Sequence, residues 1–123
     1  MKTKNPGKQR KRLHAPGTHY KRKLMAAALS KELRAQYKKR SIPARKGDEV
    51  EILVGKFRKI KGVVTKVNVS KSRLYIEGAS VKKVGGTQAQ VPISPSNVRI
   101  TKLVEDKYRQ RVFRRKATEM KGA

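Results

Sequence analysis

Only one stretch of this chain is rich enough in large apolar residues to bury a core, and it carries them at a period of two. From Asp48 onward Val50, Ile52 and Val54 fall on one face of an extended segment, opposite Glu49, Glu51 and Leu53. Val63, Thr65, Val67 and Val69 line a face of a second segment, opposite Val64, Lys66 and Asn68. After a turn over Ser70 to Arg73, Leu74 and Ile76 alternate with Tyr75 and Glu77. A basic stretch from Val81 to Val84, a Gly85-Gly86 turn, and short strands near Gln90 to Ile93 and Val98 to Thr101 follow. Five strands this short, with turns roughly every 8 to 12 residues, predict a mainly β chain closed into a small barrel rather than an open sheet. At about 55 residues such a barrel sits near the lower limit of independent stability.

The flanks obey other rules. Residues 1–16 combine Asn5-Pro6-Gly7 and Ala15-Pro16 with six basic side chains and one large aliphatic, Leu13. Burial there cannot offset an ordering entropy of about 1–2 kcal/mol per residue, so a basic extended tail over 1–17, disordered until bound, is expected. Between Thr18 and Lys39, first Tyr20, Leu24, Ala27 and Ala28, then Leu29, Leu33, Gln36 and Tyr37, repeat at helical spacings. This predicts two short helices within 18–40, broken at Ser30, which fits an N-cap with Glu32 in the first turn. Tyr20, Leu24 and Leu33 are the faces expected to dock them. Ile42-Pro43 ends the helical stretch, because proline disfavours the helical region for its predecessor. The barrel is thus assigned to 41–101 and a C-terminal helical extension to 102–123. In that extension Glu105 and Asp106 open the helix, Arg114, Arg115 and Lys116 lie further on, and Tyr108, Val112 and Phe113 share one side.

Charge decides the kind of partner. The 123 residues hold 34 Lys and Arg against 8 Asp and Glu, a net charge of +26. Residues 1–40 carry 14 basic and 1 acidic side chains, 41–100 carry 12 and 4, and 101–123 carry 8 and 3, so every segment is basic by itself. Packed into a small domain, these charges repel one another, and bound phosphate is expected to supply part of the folded stability. Cysteine is absent, and His14 and His19 alone cannot complete a tetrahedral metal shell, so neither a structural metal nor a cofactor is expected. The two histidines fit hydrogen-bonding or stacking roles against a polyanionic partner. No apolar run approaches the ~18 residues of a membrane-spanning helix, and the N-terminus lacks the apolar stretch of a secretory signal; an intracellular chain is expected.

Catalysis finds little support in the inventory. There is no thiol nucleophile and no Gly-Lys-Ser/Thr phosphate loop, and Glu49 and Glu51 read as a solvated strand face that tempers local positive charge. Neither an enzyme nor a small-molecule substrate is expected. The basic clusters are more pointed. Between the first two strands, Gly55 and Gly62 bracket Lys56, Arg58, Lys59 and Lys61, with Phe57 among them. Glycines let backbone N–H groups approach phosphate oxygens closely, although Gly62 also fits a strand bend. Phe57 fits either the open end of the barrel or a stack on a base. Lys8 to Arg12 form a second cluster with no acidic residue nearby.

The stretch Lys46-Gly-Asp-Glu-Val-Glu-Ile-Leu-Val-Gly-Lys-Phe-Arg-Lys-Ile-Lys-Gly-Val-Val-Thr-Lys-Val67 resembles a KOW motif. Lys8-Gln-Arg-Lys-Arg-Leu-His-Ala-Pro16, Leu29-Ser-Lys-Glu-Leu-Arg34, Arg40-Ser-Ile-Pro43 and Ile93-Ser-Pro-Ser-Asn-Val98 extend the resemblance over almost the whole chain. They are similar to the large-subunit ribosomal protein family numbered twenty-four in bacteria and twenty-six in eukaryotes, in its archaeal and eukaryotic branch. Stopping soon after Met120, and Ala26-Ala-Ala28 in place of the usual Ser-Ser-Pro, favour an archaeal-type member.

The resemblance implies an SH3-like five-stranded barrel in a cytoplasmic ribosome. It implies binding to the 5′ domain of the large-subunit ribosomal RNA near the polypeptide exit, beside neighbouring ribosomal proteins, and a role in subunit assembly. The RNA-binding positions it implies are Lys8, Gln9, Arg10, Lys11, Arg12 and His14 in the tail, Lys21, Arg22 and Lys23 in the helical segment, Gly55 to Gly62 in the loop, and Ser96 and Asn97 in the last turn. His19, Arg40 and Arg45 complete the candidate set. Arginine forks onto phosphate while lysine acts as a mobile point charge, and neither reads sequence, so specificity is expected from RNA shape, with base stacking a minor contribution. A KOW-type transcription elongation or antitermination accessory is the alternative, but the chain has no room for a polymerase-gripping domain. A histone-like DNA compactor would leave the barrel unexplained.

Overall fold

A computed structural model describes residues 3–121, with side chains as far as Arg114. The side chains of Arg115 and Lys116, assigned above to the basic part of the last helix, lie outside the described residues. The elements run α1 (Pro6–His14), α2 (Thr18–Leu24), β1 (Ala26–Leu29), α3 (Lys31–Tyr37), β2 (Ser41–Pro43), β3 (Glu49–Ile52), β4 (Lys61–Asn68), β5 (Arg73–Ile76), β6 (Ser80–Lys82), β7 (Gln88–Gln90), a 3-10 turn at Pro95–Asn97, β8 (Val98–Lys102) and α4 (Lys107–Lys121). Six strands form one sheet in the order β2-β1-β8-β3-β4-β5, and β6 and β7 pair separately as a hairpin. The molecule is therefore rich in β structure, as expected, but β2 and β5 end the large sheet without pairing to each other, and the sheet is not closed.

The core lies on one face of this sheet. Met25, Leu29, Val50, Ile52, Val64, Leu74, Ile76, Val98 and Ile100 are all at most 2% exposed. Burying a side chain of this size contributes about 1.5–3 kcal/mol each, which is what opposes the repulsion of the surface cations. Leu33, Phe57, Val67, Leu103 and Phe113 pack at its margin.

Several local expectations give way for physical reasons. Ala26 to Leu29, spaced as helix, form a strand. Met25, Ala27 and Leu29 are buried alternately, and β1 lies between β2 and β8, antiparallel to the first and parallel to the second. Alanine's helix propensity is a few tenths of a kcal/mol per residue, far less than the gain from burial between two strands. Ser30 caps the helix that follows, its hydroxyl accepting the Leu33 N–H.

On β4 the buried residue is Val64, on the face opposite to the row Val63, Thr65, Val67 and Val69. The register against β5 slips between Val64 and Lys66, so Thr65 is the extra residue of a bulge. The slip moves the core-facing row from Val64 to Val67 and Val69, which are half-buried against the core, while Val63 stays exposed.

Residues 6–14, expected to be extended and unstructured until bound, form α1. No residue of α1 is buried. Its support is local: the Asn5 side chain accepts the Gly7 N–H at 2.9 Å, Pro6 occupies the first turn, and Lys11, Arg12 and His14 face the negative end of the helix dipole. The Arg12 guanidinium also lies 4.7 Å from the Tyr20 ring centre, tying α1 to α2.

In α4 the side facing the body is one residue off from expectation. Tyr108 and Val112 are exposed, and Arg109 is buried instead, at 4% exposure. Its two terminal nitrogens each donate to one carboxylate oxygen of the fully buried Asp48, both at 2.5 Å, and one donates to the Pro43 carbonyl at 2.9 Å. Asp48 also accepts the backbone N–H groups of Arg45 and Val104. Phe113 does face inward, its ring stacked 4.1 Å from that of Tyr37.

Candidate nucleic-acid interface

The loop between β3 and β4 is held as a rigid spur. Ile52 N–H donates to the Ile60 carbonyl at 3.0 Å and Lys59 N–H to the Ile52 carbonyl at 2.8 Å, closing its neck. Within it, Arg58 N–H reaches the Gly55 carbonyl and Ile60 N–H the Phe57 carbonyl. Gly55 adopts φ +101, which no other residue takes without strain, and a Cβ there would meet open space. Lys59 also has positive φ, at 69. The result exposes Lys56, Arg58, Lys59 and Lys61 together, while Phe57 turns half inward onto the core.

Gly62 has a packing reason for its identity. A Cβ on it would lie 2.3 Å from the Glu77 carbonyl oxygen and 2.9 Å from Ile76 Cγ2, so the absence of a side chain lets β4 approach the end of β5. The spur and the last turn meet: Leu53 N–H donates to the Asn97 carbonyl at 2.8 Å. Gly55, Lys56, Phe57 and Asn97 line one depression of about 310 Å³. Ser96 is exposed beside it. Arg73, which sequence reasoning did not single out, lines the same depression; its strand-end position carries no periodic or motif signal.

A second set gathers on the helices. Lys8, Gln9, Arg10, Lys11, Arg12 and His14 are exposed along α1, and Lys8, Lys11 and Arg12 border a depression of about 470 Å³ with Thr3 and Pro16. The Gln9 side-chain amide is turned back to the Thr3 carbonyl. His19, Arg22 and Lys23 are exposed on α2, and Lys21 is half-buried. Arg40 is exposed, with its carbonyl accepting the Leu29 N–H. Arg22 and Arg45 line a third, larger cleft of about 700 Å³ with Lys46 and Lys66, two cations inside the KOW-like stretch that were not among the candidate site residues.

The carboxylates are spent elsewhere. Glu51 pairs with Arg99 at 2.9 Å and Glu49 with Lys102 at 3.1 Å across the β3–β8 ladder, Asp48 with Arg109, and Asp106 with Arg45. The hydrogen bond from Arg99, opposed by the cost of burial and aided by the charges of Arg99 and Lys61, holds the Glu51 carboxyl below the usual glutamate value. Each of these four acids thus neutralises a cation of the sheet or of the α4 anchorage, and among the described residues no ion pair reaches the spur or the α1 cluster, although the Lys61 charge acts on Glu51. Among the described residues no group of three or more His, Asp or Glu converges as a metal site, and no helix is long and apolar enough to cross a membrane. What the arrangement offers chemically is two sets of exposed cations of the kind that can pair with phosphate, one on a backbone-braced loop and one on a helix.

Two comparisons with known proteins bear on this surface. The family model described as ribosomal proteins L26 of eukaryotes and L24P of archaea matches residues 3–116. A curated relative from Korarchaeum cryptofilum (strain OPF8), named large ribosomal subunit protein uL24, is 40% identical over 121 residues, covering 98% of this chain and 92% of the relative.

Proposed function

We propose that this chain, which belongs to the family of ribosomal proteins called L26 in eukaryotes and L24P in archaea, is a structural, non-enzymatic component of the large ribosomal subunit that holds ribosomal RNA by its phosphates. The observation that carries this reading is the family match over nearly the whole chain, together with a spur that presents Lys56, Arg58, Lys59 and Lys61 on backbone-fixed geometry. Its place is the ribosome in the cytoplasm, with neighbouring ribosomal proteins as further partners.

The finer parts of the reading follow from the resemblance: the RNA segment is the 5′ domain of the large-subunit RNA near the polypeptide exit, and the protein supports assembly there. An SH3-like barrel is part of it too. In support, β4 pairs with β3 at its start and with β5 on both sides of its bulge, Leu74 bridges Ile93, and a 3-10 turn leads into the last strand.

The test is sedimentation of lysate through a sucrose gradient after a high-salt wash, with this chain followed by mass spectrometry. Retention in the large-subunit peak at unit stoichiometry is expected. Loss to the soluble or polymerase fractions would sink the assignment.

A further inference from the structure

The cleft between the end of α2 and the second half of β4 differs in kind from the other basic surfaces. Its floor is apolar: Met25, only 2% exposed, and Ala44 line it together with Val67 and Val69, which the β4 bulge has turned toward the core side. Its rim is cationic, with Arg22 on α2 and Lys66 on β4 both exposed, and no carboxylate lines it. Arg45 also borders it, with its guanidinium engaged by Asp106, so Arg22, Lys46 and Lys66 carry the charge that faces an incoming ligand. A continuous RNA duplex offers this cleft only phosphates, and the apolar floor would then remain empty. An unstacked nucleotide offers both halves at once, an apolar base face and an anionic link on each side.

We propose that this cleft seats one extruded nucleotide of the RNA, its base against Met25, Val67 and Val69 and its flanking phosphates on Arg22 and Lys66; this rests on the RNA-binding reading above. The volume of about 700 Å³ lies within the ~300–1,000 Å³ of clefts that take a small organic group. Methionine and valine make a floor that adapts to any of the bases. The one hydroxyl in the lining, on Thr65, already donates to the Tyr75 carbonyl at 3.1 Å, so it has no proton left to offer a base edge. Recognition is consequently of extrusion and not of base identity. On this proposal the base contact that was expected to be a minor contribution is gathered in this cleft.

The experiment uses the full chain and four RNA hairpins at one salt concentration. One is fully paired, one carries a single bulged adenosine, one a bulged uridine, and one an abasic residue at the same bulge. The bulged hairpins are expected to bind about tenfold more tightly than the abasic one, with adenosine and uridine within a few-fold of each other. A 4-thiouridine at the bulge is expected to crosslink to peptides holding Met25 or Val67–Val69, a readout that needs no variant. Val69→Ser is expected to shrink the abasic discrimination while Lys66→Ala lowers affinity for all bulged hairpins alike. Equal binding of the abasic and bulged hairpins, or crosslinks confined to the Gly55–Gly62 spur, would overturn the proposal and leave the cleft to a protein segment. Failure to bind any of the four hairpins would count against the RNA-binding reading itself.

Discussion

The spur between β3 and β4 and the helix α1 carry comparable clusters of exposed cations, yet they are mounted in opposite ways. The spur is closed at its neck by backbone hydrogen bonds from Ile52 and Lys59 and tied to the Asn97 carbonyl, with Phe57 packed on the core. Helix α1 buries none of its residues and rests on the Asn5 cap and the Arg12–Tyr20 contact. Equal charge therefore does not mean equal preorganisation. A phosphate meeting the spur finds its partners already fixed, whereas α1 must still be ordered against the RNA at an entropic cost.

The largest effect that would sharpen this contrast lies beneath the sheet that carries the spur. Arg109→Ala leaves Asp48 buried without its partner and is expected to cost about 3–5 kcal/mol in chemical denaturation. Replacing both members by apolar residues of similar size should recover only part of that loss, because the Arg45 and Val104 N–H groups that Asp48 accepts would be left without a partner. A comparable loss from any substitution in α1 would break the contrast. Next in size, Gly62→Ala forces a Cβ against the Glu77 carbonyl, which backbone cannot easily yield, and about 2–3 kcal/mol is expected by the same measurement.

The third effect concerns binding. Removing Lys56, Arg58 and Lys59 together should lower the slope of log affinity against log salt by about 2–3, and so should removing Lys8, Arg10 and Lys11. The spur variant is expected to lose about 1 kcal/mol more affinity at fixed salt, because its contacts need less ordering. Equal losses would show that mounting is irrelevant. Asn5→Ala should then cost α1 about 1 kcal/mol of local helix stability, seen as faster amide exchange over residues 6–14, with the global unfolding midpoint unchanged.

The smallest effect is a pH dependence. The Glu51 carboxyl is held below its ordinary value by Arg99, so its stabilising contribution is complete above the ordinary glutamate range and is lost as pH falls through the lowered folded value. Glu51→Gln should flatten stability against pH in that acid window and nowhere else.

Much of this was legible in the chain itself. The Ser30 cap, the strands around Val50, Leu74 and Ile100, and the glycine-bracketed basic loop all rest on local rules that tertiary context left intact. The failures share a cause. Ala26 to Leu29 satisfy both a helical and an alternating pattern over so short a run, and only the slot between β2 and β8 decides between them. One extra residue on β4 reverses which valines face inward, and periodicity has no marker for it. The Asp48–Arg109 pair joins residues 61 apart, and nothing in either neighbourhood announces it. At the interface, Arg73, Lys46 and Lys66 sit outside every cluster, because what gathers them is the shape of the sheet.

The parallel pairing of β1 with β8 has a consequence in time. Ala28 and Leu29 find their partners only at Arg99 and Ile100, so a chain emerging residue by residue cannot complete this sheet until almost all of it has been made. Until then its first forty residues, carrying 14 basic side chains, meet the surrounding RNA with β1 still lacking one neighbour. The basic beginning of the chain is thus on offer to a partner before the fold can close, and the last strand is what completes the frame around it.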